Sequence, residues 1–244
     1  ALVYAQVLFN TRLSWVWRVA LLALMGVWLY RKFVVEVYWL SGWLPSLVAI
    51  GVISFLRSRR LFVVFVLVVV VYLAVNWDYY SSAVLSRESE ESGVTRLAAW
   101  RVNWRVTGRH VLFGTGPAGY AAYYMSYFPN EAMATHSNYV DILSQLGVVG
   151  LACYVWFLAA LIVTGSRLWR RVKEYRNMLG GLAAGTLAGT IGLIVAMGLG
   201  DWVVPFAYTQ TIAGFDYAVY SWIWLGVMVN LERISRERPG ESWT

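Results

Sequence analysis

Two kinds of side chain between residues 95 and 150 can do chemistry on an anionic substrate. Arg96, Arg101, Arg105 and Arg109 recur every four or five residues, with Arg87 just upstream, and His136 stands two residues before Asn138. A guanidinium is a planar fork that holds phosphate through two parallel bonds, which an ammonium cannot imitate. Asn138 opens an apolar run with Asp141 three residues on, close to a capping box, so Asn138 is expected as N-cap with Asp141 at N3. The partial positive charge of that helix start favours a bound anion and keeps an adjacent histidine neutral and able to accept a proton. Arg96, Arg101 and Arg105 are thus candidates for an anion, and His136 for a base. A plainer reading stands beside each: the arginines touch lipid phosphates, and the histidine is a hydrogen-bonded polar residue. His110 carries only the plainer one.

Gly114, Gly116 and Gly119 match the dinucleotide fingerprint G-x-G-x-x-G, but no strand precedes them and no acidic residue follows at the required distance. With Pro117 they are expected to make tight turns that lay the loop back on the helices. Glu131 and Asp141, the acidic residues near His136, form no ligand motif with a second histidine, so neither a metal nor a cofactor is expected. Cys153 is the single cysteine. It excludes an intramolecular disulfide and a thiolate metal site, and its place in an apolar run predicts a buried small hydrophobe.

The elements that must position these residues are membrane helices. The chain is 59% hydrophobic and 14% charged with a mean hydropathy of +0.57, which lies outside the soluble range. Its 14 tryptophans and 16 tyrosines suit the headgroup boundary. About six complete spans are expected, each needing about 20 apolar residues: Trp15 to Tyr30, Phe33 to Leu56, Leu61 to Val75, Asn138 to Thr164, Gly180 to Phe206 and Gly214 to Val229. The second carries Glu36, Ser41-Gly42 and Pro45 and reads as a kinked span. The third is valine-rich and reads as a lipid-facing helix. The small residues of GGLAAGTLAGTIGLIVAMGLG offer a surface that lets helices approach closely. The first ten residues read as the tail of a preceding span, and the absence of both an initiator methionine and a signal-peptide pattern reads as a piece of a longer membrane protein.

The fold class is therefore all-α, a polytopic transmembrane bundle with one long extracytoplasmic loop containing short interfacial helices. Residues 1–76 form the N-terminal spans, 77–137 the loop, 138–232 the C-terminal spans and 233–244 a cytoplasmic tail. Within the loop, Ser86 to Ser92 is polar and mobile, and Thr95 to Gly108 is an amphipathic surface helix with Leu97, Arg101 and Arg105 on one side and Arg96, Trp100, Asn103 and Trp104 turned to another. The net charge of +7 does not point to nucleic acid, because the basic residues cluster at the ends of apolar runs. The basic stretches Arg57 to Arg60, Arg167 to Arg176 and Arg233 to Arg238 share one face, cytoplasmic by the positive-inside rule, if three spans precede the loop and three follow it. Arg31 and Lys32 then fall on the outer face, partly offset by Glu36.

The order Arg96-Leu97 and Trp100, then LFGTGPAGY, then HSNYVDILSQLGVVGL, resembles the outer-loop signature of the O-antigen ligase and polymerase superfamily of membrane glycosyltransferases. The resemblance implies a metal-independent enzyme of the bacterial inner membrane that moves a glycan from an undecaprenyl diphosphate carrier to an acceptor hydroxyl of a lipid or glycan. It implies that a loop histidine activates the acceptor and that arginines hold the diphosphate. These roles fall on His136 and Arg96; Arg101 and Arg105 are expected as substrate contacts on local charge rather than on the motif, and Asn138 is expected as a further substrate contact; ligase and polymerase are not separated. The rival from another class is a transporter or flippase for the same lipid, which would carry its charges within the spans. A catalytically silent membrane scaffold is the third reading.

Overall fold

The apolar runs fold as helices whose starts follow cap chemistry. Ser14 accepts the Trp17 N–H ahead of the helix that starts at Trp15, and Ser58 accepts the Leu61 N–H ahead of the helix that starts at Arg59. The computed structural model describes residues 1–36, 40–87, 100, 101, 103–105, 107–117, 119, 135–205 and 213–237. In chain order the helices are α1 (Leu2–Phe9), α2 (Trp15–Tyr30), a π turn (Arg31–Val35), α3 (Leu40–Arg57), α4 (Arg59–Val75), α5 (Trp77–Arg87), α6 (Asn138–Val172), α7 (Met178–Met197) and α8 (Ala213–Glu237). Among the described residues every regular element is helical, so the fold is the expected all-α class.

Among the described residues three helices, α3, α6 and α7, are long and apolar enough to cross a membrane. The other expected spans also lie on helices. α2 has 16 residues and continues into the 5-residue π turn, α4 has 17, and α8 carries Asp216 and Glu232 near its two ends. The expected span over Phe33 to Leu56 is interrupted. Its π turn closes at Glu36, whose N–H donates to the Arg31 carbonyl and whose carboxylate folds back on Arg31 and Lys32. α3 itself runs continuously through Pro45. The run expected to reach Phe206 leaves the helix at Met197.

Contacts divide the chain into two compact units: residues 1–83, 160–195 and 223–244, and residues 84–159 and 196–222. In the first unit the small residues of α7 admit their neighbours closely. Ala184 and Ala188 pack with Ala5 of α1 and with Ala49 and Ile53 of α3. A Cβ on Gly189 would lie 2.4 Å from the Trp224 ring of α8, and one on Gly192 would lie 2.6 Å from the Pro45 carbonyl oxygen. The close helix approach expected from this stripe is present. By contrast, α2 and α4 contain no buried residue, with Val27, Val68 and Val75 among the exposed ones. Apolar faces of this extent belong against lipid. The second unit holds the candidate site.

Candidate functional site

The helical residues at 100–107 present two faces. Asn103 and Thr107, one turn apart, are buried, and the Thr107 hydroxyl donates to Asn103 Oδ1 at 3.0 Å. Trp100, one turn earlier, turns the same way and donates through Nε1 to the Thr135 carbonyl at 2.8 Å. Arg101 and Arg105 share the outer side, as i,i+4 neighbours must. The expected separation of Arg101 and Arg105 from Trp100 and Asn103 is therefore observed. Trp104 is the exception: it is 59% exposed, on the arginine side of the buried pair. Arg96, Leu97 and Glu131 lie outside the described residues.

The glycine loop after this helix meets a break in α6. At Gly147 the backbone has φ 68° and ψ −170°, a conformation essentially confined to glycine. The break withdraws carbonyls and N–H groups from the helical ladder, and the loop backbone takes them up. Thr115 donates its N–H and its hydroxyl to the Ser144 carbonyl, and the Gly116 N–H donates to Gln145. In return the N–H groups of Val148 and Val149 donate to the carbonyls of Val111 and Leu112. Contact is backbone to backbone: a Cβ on Gly147 would stand 2.2 Å from the Leu112 oxygen, and one on Gly114, with φ 71°, would stand 2.4 Å from the Gln145 carbonyl carbon. The expected tight turns are thus present, and what they lie against is a discontinuous helix.

His136 is exposed in a left-handed backbone conformation, φ 52°. This costs a non-glycine residue about 1–2 kcal/mol, so its surroundings must hold it. Both neighbours, Thr135 and Ser137, are buried, as is Asp141. The Thr135 hydroxyl lies 2.6 Å from Asp141 Oδ1 and 3.1 Å from the Ser137 carbonyl oxygen. Having one proton, it donates chiefly to the nearer acceptor, Asp141 Oδ1. The Asp141 N–H donates to the Ser137 carbonyl, which makes Ser137 the N-cap, Asn138 the first helical residue and Asp141 the fourth. The expected frame with Asn138 as N-cap and Asp141 at N3 is shifted by one. Ser137 and Asn138 are both capping types, and only the carbonyl that accepts the first helical bond separates them. The Asn138 side chain is fully buried instead: Nδ2 donates to Val204, and Oδ1 accepts from the N–H groups of Val203 and Val204.

Ser144 ties these pieces together. Its carbonyl holds Thr115, while its hydroxyl touches Asn103 Oδ1 and the Val140 carbonyl. The structure brings the helix bearing Arg101 and Arg105, the glycine loop and the His136 turn into one buried polar assembly. Outside it stand Arg101, Arg105, Arg109, His110 and His136, all exposed. None of the three arginines is ion-paired among the described residues, so this face is cationic and suited to a phosphorylated ligand. Sequence reasoning missed Thr135, Thr107 and Ser144. The one available signal was the i,i+4 pair Asn103 and Thr107 inside an amphipathic helix; Thr135 and Ser144 carry no local mark. Among the described residues no three His, Cys, Asp or Glu side chains converge to hold a metal. Cys153, expected as buried, is exposed, because the part of α6 beyond the break turns it outward among Val155 and Trp156.

The chain is all-α with membrane-length helices, and in it a loop with exposed arginines is locked onto a broken helix close to an exposed histidine. The model of the O-antigen ligase family matches residues 1–155, which include the whole of this loop, and the chain belongs to that family. A comparison with curated proteins gives no match. Membership establishes a membrane protein of polysaccharide biosynthesis, of the glycosyl-transferring ligase and polymerase type, acting on lipid-linked glycans.

Proposed function

We propose that the chain transfers a glycan from an undecaprenyl diphosphate carrier to an acceptor hydroxyl at the outer face of the bacterial inner membrane, without a metal ion. His136 takes the proton of the acceptor hydroxyl as that oxygen attacks the anomeric carbon. The bond from that carbon to the carrier phosphate breaks, its electron pair leaves with the diphosphate, and Arg96, Arg101 and Arg105 hold the departing charge. Asn138 serves the site by fixing the start of α6. The carrying observation is the Trp100 to Thr135 hydrogen bond, which ties the residue before Arg101 to the residue before His136. A cation pair and an exposed imidazole are thereby supported by adjoining backbone. Neutralising the leaving diphosphate is the larger electrostatic contribution. A positioned histidine base typically adds about 10²- to 10⁴-fold.

The test is glycan transfer in membranes carrying the full-length protein with His136→Ala or Arg96→Ala, at verified insertion levels. Each variant is expected to lose transfer by at least about 10²-fold while donor lipid still reaches the outer leaflet. Normal transfer by both would refute the assignment and bring forward the transporter and scaffold readings.

A further inference from the structure

His136 is the one non-glycine residue with positive φ among the described residues, and it is also the proposed base. The residues on either side of it are buried and tied from three directions. The Thr135 carbonyl accepts from Trp100, the Thr135 hydroxyl reaches Asp141 Oδ1, and the Asp141 N–H returns to the Ser137 carbonyl. Asp141 thus grips both flanks of His136, one through its side chain and the other through its backbone. The backbone contact is itself the first helical bond, which any helix start makes. The side-chain contact is not required by it, because a carboxylate at the fourth helical position has no capping duty toward a threonine six residues earlier.

We propose that Thr135 and Asp141 are positioning residues for His136: a buried hydroxyl-to-carboxylate clamp that holds the histidine in its left-handed conformation and so fixes where the imidazole meets the acceptor hydroxyl. The proposal rests on the reading of His136 as base. Asp141 is too deeply buried to be a substrate contact, at 3% exposure, and Thr135 is at 1%. Their effect reaches the reaction only through the residue between them. Proximity terms are steep, since a misplacement of about 1 Å can cost on the order of 10²-fold in rate. A clamp that selects one backbone conformation therefore acts on turnover more than on donor binding, which belongs to the arginines.

The experiment uses the full-length protein in membranes and the variants Thr135→Val, Thr135→Ser and Asp141→Ala, each at verified insertion level. Two readouts are taken: kcat and donor KM for glycan transfer, and the rate at which diethyl pyrocarbonate modifies His136 relative to His110, resolved by peptide mass spectrometry. The chain has only these two histidines, so His110 is an internal reference. Thr135→Val and Asp141→Ala are expected to lower kcat at least about tenfold, to move donor KM by less than about threefold, and to change the His136 to His110 modification ratio. Thr135→Ser, which keeps the hydroxyl, restores both. Unchanged kcat and an unchanged ratio in Thr135→Val would overturn the clamp, as would a Thr135→Ser variant that behaves like valine. Normal transfer by His136→Ala would instead remove the base reading and with it the catalytic purpose of the clamp, while the modification ratio would still decide whether the clamp holds the turn.

Discussion

Asn138 and His136 lie two residues apart and answer to opposite demands. Asn138 binds the 201–205 turn with both ends of its amide and has no exposed surface. Asn138→Ala leaves the N–H groups of Val203 and Val204 and the Val204 carbonyl without their partner, at about 1–3 kcal/mol. The detergent-solubilised protein is then expected to unfold at a temperature lower by about 3 °C or more. His136 is exposed, and asparagine tolerates the left-handed region well. His136→Asn should therefore abolish transfer while leaving the unfolding temperature within about 1 °C of the parent, because asparagine meets the left-handed backbone at this position at no greater cost than histidine and the side chain is exposed. Matched drops in activity and unfolding temperature for His136→Asn would show that the residue is structural. The sequence singled out both residues, His136 as a candidate base and Asn138 as the expected N-cap and a substrate contact. The capping pattern fits Ser137 and Asn138 equally as types, and only the long-range partner at Val203 and Val204 draws the Asn138 amide away from the helix start.

At the scale of elements, the glycine loop and α6 form one device. A continuous helix through 138–172 would bury its backbone groups internally and leave the loop without partners; the break at Gly147 frees the groups that residues 111–116 bind. Within a membrane protein such a break is tolerated only where the freed groups are satisfied by other protein atoms. Gly147→Ala places a Cβ 2.2 Å from the Leu112 oxygen in a conformation that alanine resists, so it should cost at least about 2 kcal/mol. It should also speed proteolysis within residues 108–117. Gly26→Ala in α2 is the control: its Cβ meets no atom within 4 Å, and no change in either readout is expected. Equal behaviour of the two variants would mean that the lock is not formed. The turns at Gly114 and Gly116 were legible from glycine and proline content. The break was not, because LGVVG continues the apolar run on both sides, and a helix interruption leaves no trace in hydropathy when its partners lie some 30 residues away in sequence. The π turn ahead of Glu36 was hidden for a similar reason, since it coincides with a carboxylate folding back on Arg31 and Lys32 rather than with the more visible Pro45.

For the whole molecule, the sidedness of the loop decides whether the chemistry can occur where the glycan is. The helical class was legible because it depends on apolar run length, whereas sidedness depends on small differences in charge between short loops. If spans run over α2, α3 and α4 before the loop and over α6, α7 and α8 after it, as the outer-face proposal requires, Ser58 and Glu174 fall on the cytoplasmic side and His110 on the outer side. Arg31 and Lys32 oppose this assignment, yet both pair with Glu36, so that corner contributes a net charge of +1 rather than +2. The Glu36 carboxyl is held below its ordinary pKa by the hydrogen bonds from Lys32 and Arg31. A carboxyl with a depressed folded pKa stabilises the fold above its unfolded value near 4.5 and loses that contribution as pH falls through the lower folded value, so the pairing persists at neutral pH. Cys153 is the single cysteine of these 244 residues and is exposed, so the background is the full-length protein with Cys153→Ala and any cysteine outside this stretch replaced as well. In that background Ser58→Cys, Glu174→Cys and His110→Cys, each at an exposed position, are treated in intact cells with a membrane-impermeant maleimide. His110→Cys should label in intact cells with the outer membrane permeabilised, and Ser58→Cys and Glu174→Cys only after the inner membrane is opened. Labelling of Ser58→Cys from outside would invert the orientation and place the cationic loop in the cytoplasm, where an outer-face transfer cannot take place. Early labelling of Glu174→Cys alone would instead remove one span between the loop and residue 174, keep His136 outside, and leave the proposed chemistry standing on a revised C-terminal half.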